Sequence, residues 1–162
     1  MTEGAITGTV TGDITGGCQC GAVRYRINGP LFNAHICHCR MCQKASGNMF
    51  SALVSVKKSD LAWQRGTPAV FRSSSVVSRG FCRECGTPLT FAYDMTPHMN
   101  VSIGSLDRPA DVPLEVQYGI EARLPSFALL HSLPGSRTED DVPAADLLKL
   151  KSLQHPDQAE GD

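Results

Sequence analysis

Apolar and polar residues alternate along this chain in short runs, not in long amphipathic stretches. Val23, Tyr25 and Ile27 alternate with Arg24 and Arg26, the period-two pattern of a strand with one buried face. Further runs read as strands at Phe50–Val56, Leu61–Arg65, Val70–Arg72, Val76–Phe81, Leu89–Tyr93, Met99–Ile103 and Leu114–Tyr118. Asn28-Gly29-Pro30 and Arg65-Gly66-Thr67-Pro68 supply turn signals between them. Many short strands with Gly and Pro turns predict an all-β, mainly β fold. Helix is scarce. One turn is expected over Arg40–Ala45, and a short helix over 144–153 behind Pro143, with Leu147, Leu148 and Leu150 packing on the domain. The Thr- and Gly-rich stretch Ile6–Gly12 reads as an edge strand or a mobile segment, and His155–Asp162 as a frayed tail. A length of 162 residues fits one domain.

Composition narrows the function classes. With 15 basic and 16 acidic residues, no basic stripe and 6% aromatics, nucleic acid is a poor partner. The N-terminus has neither a basic n-region nor an apolar h-region, so no signal peptide is expected, and no apolar run approaches a membrane span. These features point to the cytoplasm. A reducing compartment and an odd number of cysteines, 7, favour metal over disulfides. At 41% hydrophobic residues the core is lean, and metal cross-links would help to hold it.

The cysteines lie in three clusters: Cys18-Gln19-Cys20, Cys37-His38-Cys39-Arg40-Met41-Cys42 and Cys82-Arg83-Glu84-Cys85. Phe81-Cys82-Arg83-Glu84-Cys85-Gly86 has the form of a zinc knuckle, with Gly86 allowing amides to turn toward sulfur. The glycine-flanked Cys18 and Cys20 supply two more thiolates, completing a closed four-sulfur site. Cys37, Cys39 and Cys42 remain, enough for three corners of a tetrahedron. Zinc in structural sites takes four protein ligands, whereas catalytic zinc commonly takes three and leaves one corner open. Two Zn²⁺ per chain are therefore expected, one closed and one open. A second scaffolding zinc with a further ligand is the alternative, with His98 as a candidate.

Three thiolates make an electron-rich zinc, a weak activator of water but well suited to a fourth sulfur from a small molecule. A small thiol is the expected partner. His38, between two ligands, is expected to turn away from the metal, yet it is the nearest titratable group and could relay a proton. Lys44 could pair with a substrate carboxylate or lie solvated on the surface. Gln43 and Ser46 read as loop hydrogen-bonders.

Gly16-Gly17-Cys18-Gln19-Cys20-Gly21-Ala22-Val23-Arg24-Tyr25, Cys37 through Gly47, and Phe81-Cys82-Arg83-Glu84-Cys85-Gly86-Thr87-Pro88-Leu89 resemble the glutathione-dependent formaldehyde-activating enzyme family, whose domain is also that of centromere protein V. Gly104-Ser105-Leu106-Asp107 and Arg123-Leu124-Pro125 resemble later family turns, although Ser126 stands where a tryptophan often follows. The resemblance covers about residues 15–135, leaving an N-terminal extension (1–14) and a C-terminal tail (136–162) outside it, and implies a β-tent of short antiparallel sheets bridged by zinc. It implies that Cys18, Cys20, Cys82 and Cys85 hold the structural zinc and that Cys37, Cys39 and Cys42 hold a catalytic one. The implied activity is a carbon–sulfur lyase on glutathione-type or other small thiol adducts, as in S-hydroxymethylglutathione synthesis. The alternative is a non-catalytic zinc module that binds a protein partner. A concave polar pocket beside Cys37, Cys39 and Cys42 would favour the enzyme. An exposed apolar patch without a pocket would favour the module.

Overall fold

The computed structural model describes residues 10–157. Val10 bridges to Leu31; the rest of the Ile6–Gly12 expectation up to residue 9, and the tail from residue 158, lie outside the described residues. Among the described residues ten strands build two sheets. β1 (Ile14–Gly17), β2 (Arg24–Ile27) and β5 (Leu61–Arg65) form a small antiparallel sheet in the order β1-β2-β5. The larger sheet holds β3 (Phe32–Cys37), β4 (Ser51–Lys57), β6 (Ala69–Arg72), β7 (Val77–Phe81), β8 (Pro88–Tyr93), β9 (His98–Ser102) and β10 (Val116–Tyr118). Its order is β10-β3-β4-β9-β8-β7-β6, with β10 parallel to β3 and the other pairings antiparallel.

The all-β expectation holds, and every strand expected from periodicity has a counterpart. β1 and β3 were not anticipated, for physical reasons. Ile14-Thr15-Gly16-Gly17 has no apolar alternation. In β3, Ala34, His35 and Ile36 are all buried, and Asn33 takes a positive φ of 51° where the register against β4 shifts. A strand buried on both faces and bulged near its start shows no period of two.

The core lies between the sheets. Ile27, Val54, Val56, Leu89 and Val101 are fully buried, each contributing about 1.5–3 kcal/mol of transfer free energy. Tyr25 joins them, its ring edge-on to Trp63 and its hydroxyl 2.7 Å from Ser105 Oγ. Burial raises the Tyr25 phenol far above its ordinary pKa.

Helix is limited to short pieces: α1 (Arg40–Ser46), α2 (Thr138–Asp141), α3 (Ala144–Leu147) and several 3₁₀ turns. α3 covers only the start of the expected 144–153 helix, and Leu148 and Leu150 stay exposed, unlike the packing expected of them. The tail is also not frayed at His155. Its amide donates to Gln19 O at 2.7 Å and its ring covers Gly21. Among the described residues no helix is long and apolar enough to cross a membrane.

Candidate metal centres

The first cluster forms where two strands end. After β1 the chain turns through Cys18–Gly21, with Gly21 N on Cys18 O at 3.1 Å. After β7 the knuckle closes by Gly86 N on Cys82 O and Cys82 N on Thr87 O, both 2.9 Å, with Gly86 at φ 79°. The sulfurs of Cys18, Cys20, Cys82 and Cys85 all lie within 4.8 Å of one another. Cys18–Cys20 is 3.5 Å and Cys20–Cys82 3.8 Å. Tetrahedral thiolate coordination at 2.3 Å places sulfurs about 3.8 Å apart, so the set fits zinc. Val23 N donates to Cys18 Sγ at 3.2 Å, the kind of contact that favours a thiolate. Burial pushes the Cys82 thiol up to about 12. Burial also pushes Cys85 up, but the Thr87 hydroxyl and nearby backbone hydrogen bonds outweigh it and bring that thiol to about 6.

The second cluster is built on β3 and α1. Cys37 ends β3 opposite Ser51. Cys39 N-caps α1, its sulfur accepting the Cys42 amide at 3.4 Å. The helix is two turns long and ends at Gly47, φ 62°. One turn of helix after the cap brings the three sulfurs within 4.8 Å of one another, and among the described residues no other Cys, His or carboxylate joins them. They fit three corners of a tetrahedral thiophilic site. The Cys42 thiol is brought down to about 5 by the hydrogen bond with Cys37 and then by Arg79, whose Nη2 donates to Cys42 Sγ at 3.3 Å. Cys37 is pushed up in turn, by that same bond and by burial.

The other candidate residues fall around this cluster in different ways. His38 points away from it into an aromatic cage, its ring edge-on to Phe127 at 4.7 Å and Phe50 at 5.9 Å. Its Nε2 lies 3.0 Å from Gln117 Oε1, and its buried Nδ1 has no hydrogen-bond partner among the described residues. Lys44 is exposed on α1. Gln43 is buried and donates to His38 O at 2.6 Å and Ala122 O at 2.9 Å, and Ser46 bonds Cys42 O at 2.8 Å. His98 lies on β9 against the Phe32 ring, outside the three-sulfur group.

Two features escaped the sequence reading. One is the placement of residues 116–127, whose start was expected only as a strand, as a strap across the cluster: Tyr118 O accepts the His38 amide at 2.9 Å, and Gly119 packs on Cys39. The other is Arg79, buried on β7. Its signal was present in the chain, since Arg79 stands in phase with Val77 and Phe81 on what should be an apolar face. Arg79, Ser51 and Ser46 line a cavity of about 650 Å³ that extends to Gly86 and Thr87 of the knuckle. No sulfur of the second cluster lines it; Arg79 and Ser51, which donates to Cys42 O at 3.0 Å, connect the two.

The family model for the glutathione-dependent formaldehyde-activating enzyme matches residues 13–120. The chain belongs to that family. The glutathione-dependent formaldehyde-activating enzyme match takes in both cysteine clusters, the cavity-lining strands and β10. An uncharacterized lyase of Schizosaccharomyces pombe is 32% identical over 80 residues, covering 48% of this chain and 56% of that relative. The matched stretch is thus little more than half the length of this curated relative. A crystal structure of a Rhodobacter sphaeroides protein is 24% identical, with a TM-score of 0.52 over 64% of this chain and 98% of that one. At that identity the likeness is one of fold.

Proposed function

We propose that this protein is a zinc-dependent carbon–sulfur lyase acting on adducts of glutathione-type or other small thiols, with Cys37, Cys39 and Cys42 as its reactive centre. The observation that carries the reading is the cavity joined through Arg79 to a three-sulfur cluster. Zinc held by those sulfurs would supply a thiophilic Lewis acid with a corner for a substrate sulfur or oxygen. The four-sulfur site of Cys18, Cys20, Cys82 and Cys85 is then the structural centre, tying the start of the domain to its middle. In the cleavage direction the C–S bond of a hemithioacetal breaks, the sulfur keeps the electron pair as a thiolate, and the hydroxyl proton passes to solvent water as the carbonyl forms. The chain's own part is to hold this geometry. Arg79 favours the Cys42 thiolate, and Gln43 and Gly119 pin the strap. The reducing conditions of the cytoplasm suit seven free thiols.

A second reading, a zinc module that binds a protein partner, draws on the exposed Ile120, Leu129, Leu130 and Leu133 beside the strap. Cobalt substitution separates the two. Under the lyase reading a small thiol changes the ligand-field and charge-transfer bands of the cobalt protein, Cys39→Ser abolishes the change, and C–S exchange is seen by NMR. A spectrum that no thiol perturbs, with no exchange, would transfer the weight to the partner-binding reading.

A further inference from the structure

Four of the six phenylalanines in the chain, Phe50, Phe71, Phe81 and Phe91, line the cavity beside the second cluster. Among the described residues no Asp or Glu lines it, and its one cationic group is Arg79. Arg79 as a whole residue is 7% exposed. Among the described residues it meets no carboxylate: Nε donates to Ser73 Oγ at 3.0 Å, Nη2 to Cys42 Sγ at 3.3 Å, and the plane lies 4.7 Å over the Phe91 ring. A buried cation without a carboxylate is costly unless a ligand or a thiolate compensates it. A planar fork held over an aromatic ring is pre-organised to receive a carboxylate.

These walls fit glutathione poorly. That tripeptide carries an ammonium, two separate carboxylates and peptide groups; the serines, threonines and Asn48 of the lining can meet the peptide groups, but among the described residues the cavity offers no anion for the ammonium and a single cation for the two carboxylates. Desolvating unmatched polar groups against phenylalanine is unfavourable. We infer that the cavity accepts the adduct of an apolar, aromatic-bodied thiol bearing a single carboxylate, which Arg79 receives while the phenyl walls enclose the body. The inference rests on the lyase reading for the thiol itself. Arg79 then acts as the specificity-determining residue, and the thiol end of the ligand lies toward Cys42.

Isothermal titration of the metal-loaded protein tests this with three probes: 2-sulfanyl-3-phenylpropanoate, its primary amide, and glutathione. The aryl acid binds at least about tenfold more tightly than either of the others, the discrimination a desolvated guanidinium–carboxylate pair supplies. Arg79→Gln removes the advantage of acid over amide, and Arg79→Lys restores part of it. Because Arg79 touches Cys42, metal content is measured alongside. Phe71→Ser, away from the sulfurs, weakens acid and amide alike with metal content unchanged. Glutathione binding as tightly as the aryl acid would overturn the assignment, as would an acid preference that survives Arg79→Gln. The two readings fail separately. Aryl acid binding with no C–S exchange sinks the lyase and leaves this assignment standing. Turnover of a glutathione adduct with no aryl binding sinks this assignment alone.

Discussion

Arg24 and Asp107 are locked in a two-pronged ion pair, Nη1 on Oδ1 at 2.9 Å and Nη2 on Oδ2 at 2.5 Å. The pair joins β2 of the small sheet to the turn that follows β9 of the large one. Thr15 Oγ1 adds a third donor to Asp107 at 2.6 Å, and the Asp107 amide bonds Thr15 O at 3.0 Å. The motif Gly104-Ser105-Leu106-Asp107 thereby has a structural task. Ser105 receives Tyr25, Leu106 bridges Gly16, and Asp107 anchors Arg24.

Asp107→Asn leaves Arg24 facing a neutral group inside the sheet junction. Removing one member of a buried pair costs about 3 kcal/mol or more. Denaturant unfolding of the metal-loaded protein should show that loss. The double variant Arg24→Met with Asp107→Leu should recover part of it, since apolar replacements remove the stranded charge. A single variant as stable as the parent would mean that the pair is solvated.

The sequence carried the strands whose burial is one-sided, such as Arg24–Ile27, because alternation survives where one face meets solvent. It carried the cysteine grouping, because ligand spacing is local within each cluster. It could not carry β3, buried on both faces, or the strap, whose contacts with Cys39 and Gln43 join residues about 80 positions apart. The tail misled in the opposite sense. Leu147, Leu148 and Leu150 read as a packing face, yet the docking group is His155, held by its amide on Gln19 O, by Arg65 Nη1 3.5 Å from its Nε2, and by the absence of a side chain at Gly21.

The two centres should differ in what their loss does. Cys82 is fully buried in the core cluster, and a closed structural site supplies folding free energy directly. Cys82→Ser should lose the β signal in circular dichroism together with all bound metal. Cys39→Ser should keep the fold and about half of the metal found by elemental analysis. Equal loss of fold in both variants would make both centres scaffolding.

Gly119 holds the strap against the second cluster at φ 64°, where a Cβ would sit 2.8 Å from Cys39 N. Gly119→Ala adds left-handed strain of about 1–2 kcal/mol and pushes on the backbone of a metal ligand. The strap supports that ligand from outside, so metal affinity at the second centre should fall about tenfold while the first is unchanged. Chelator competition, followed by metal release, should show one early step and one unaltered step. A single unaltered profile would show that the strap does not position Cys39.

The His155 ring lies where a Cβ on Gly21 would be, and Gly21 itself has φ 77°. Gly21→Ala in the full chain therefore carries two penalties, left-handed strain of about 1–2 kcal/mol and displacement of the tail. A chain ending at Lys149 lacks His155 and should lose about 1 kcal/mol, the worth of the hydrogen bond to Gln19, the exposed 3.5 Å contact with Arg65 adding little. Gly21→Ala made in that shortened chain should carry the strain alone. The two changes should then be sub-additive, with a coupling of about 1 kcal/mol in a double-mutant cycle read by thermal unfolding at fixed metal loading. Strict additivity would mean that His155 does not rest on the Cys18–Gly21 turn in solution.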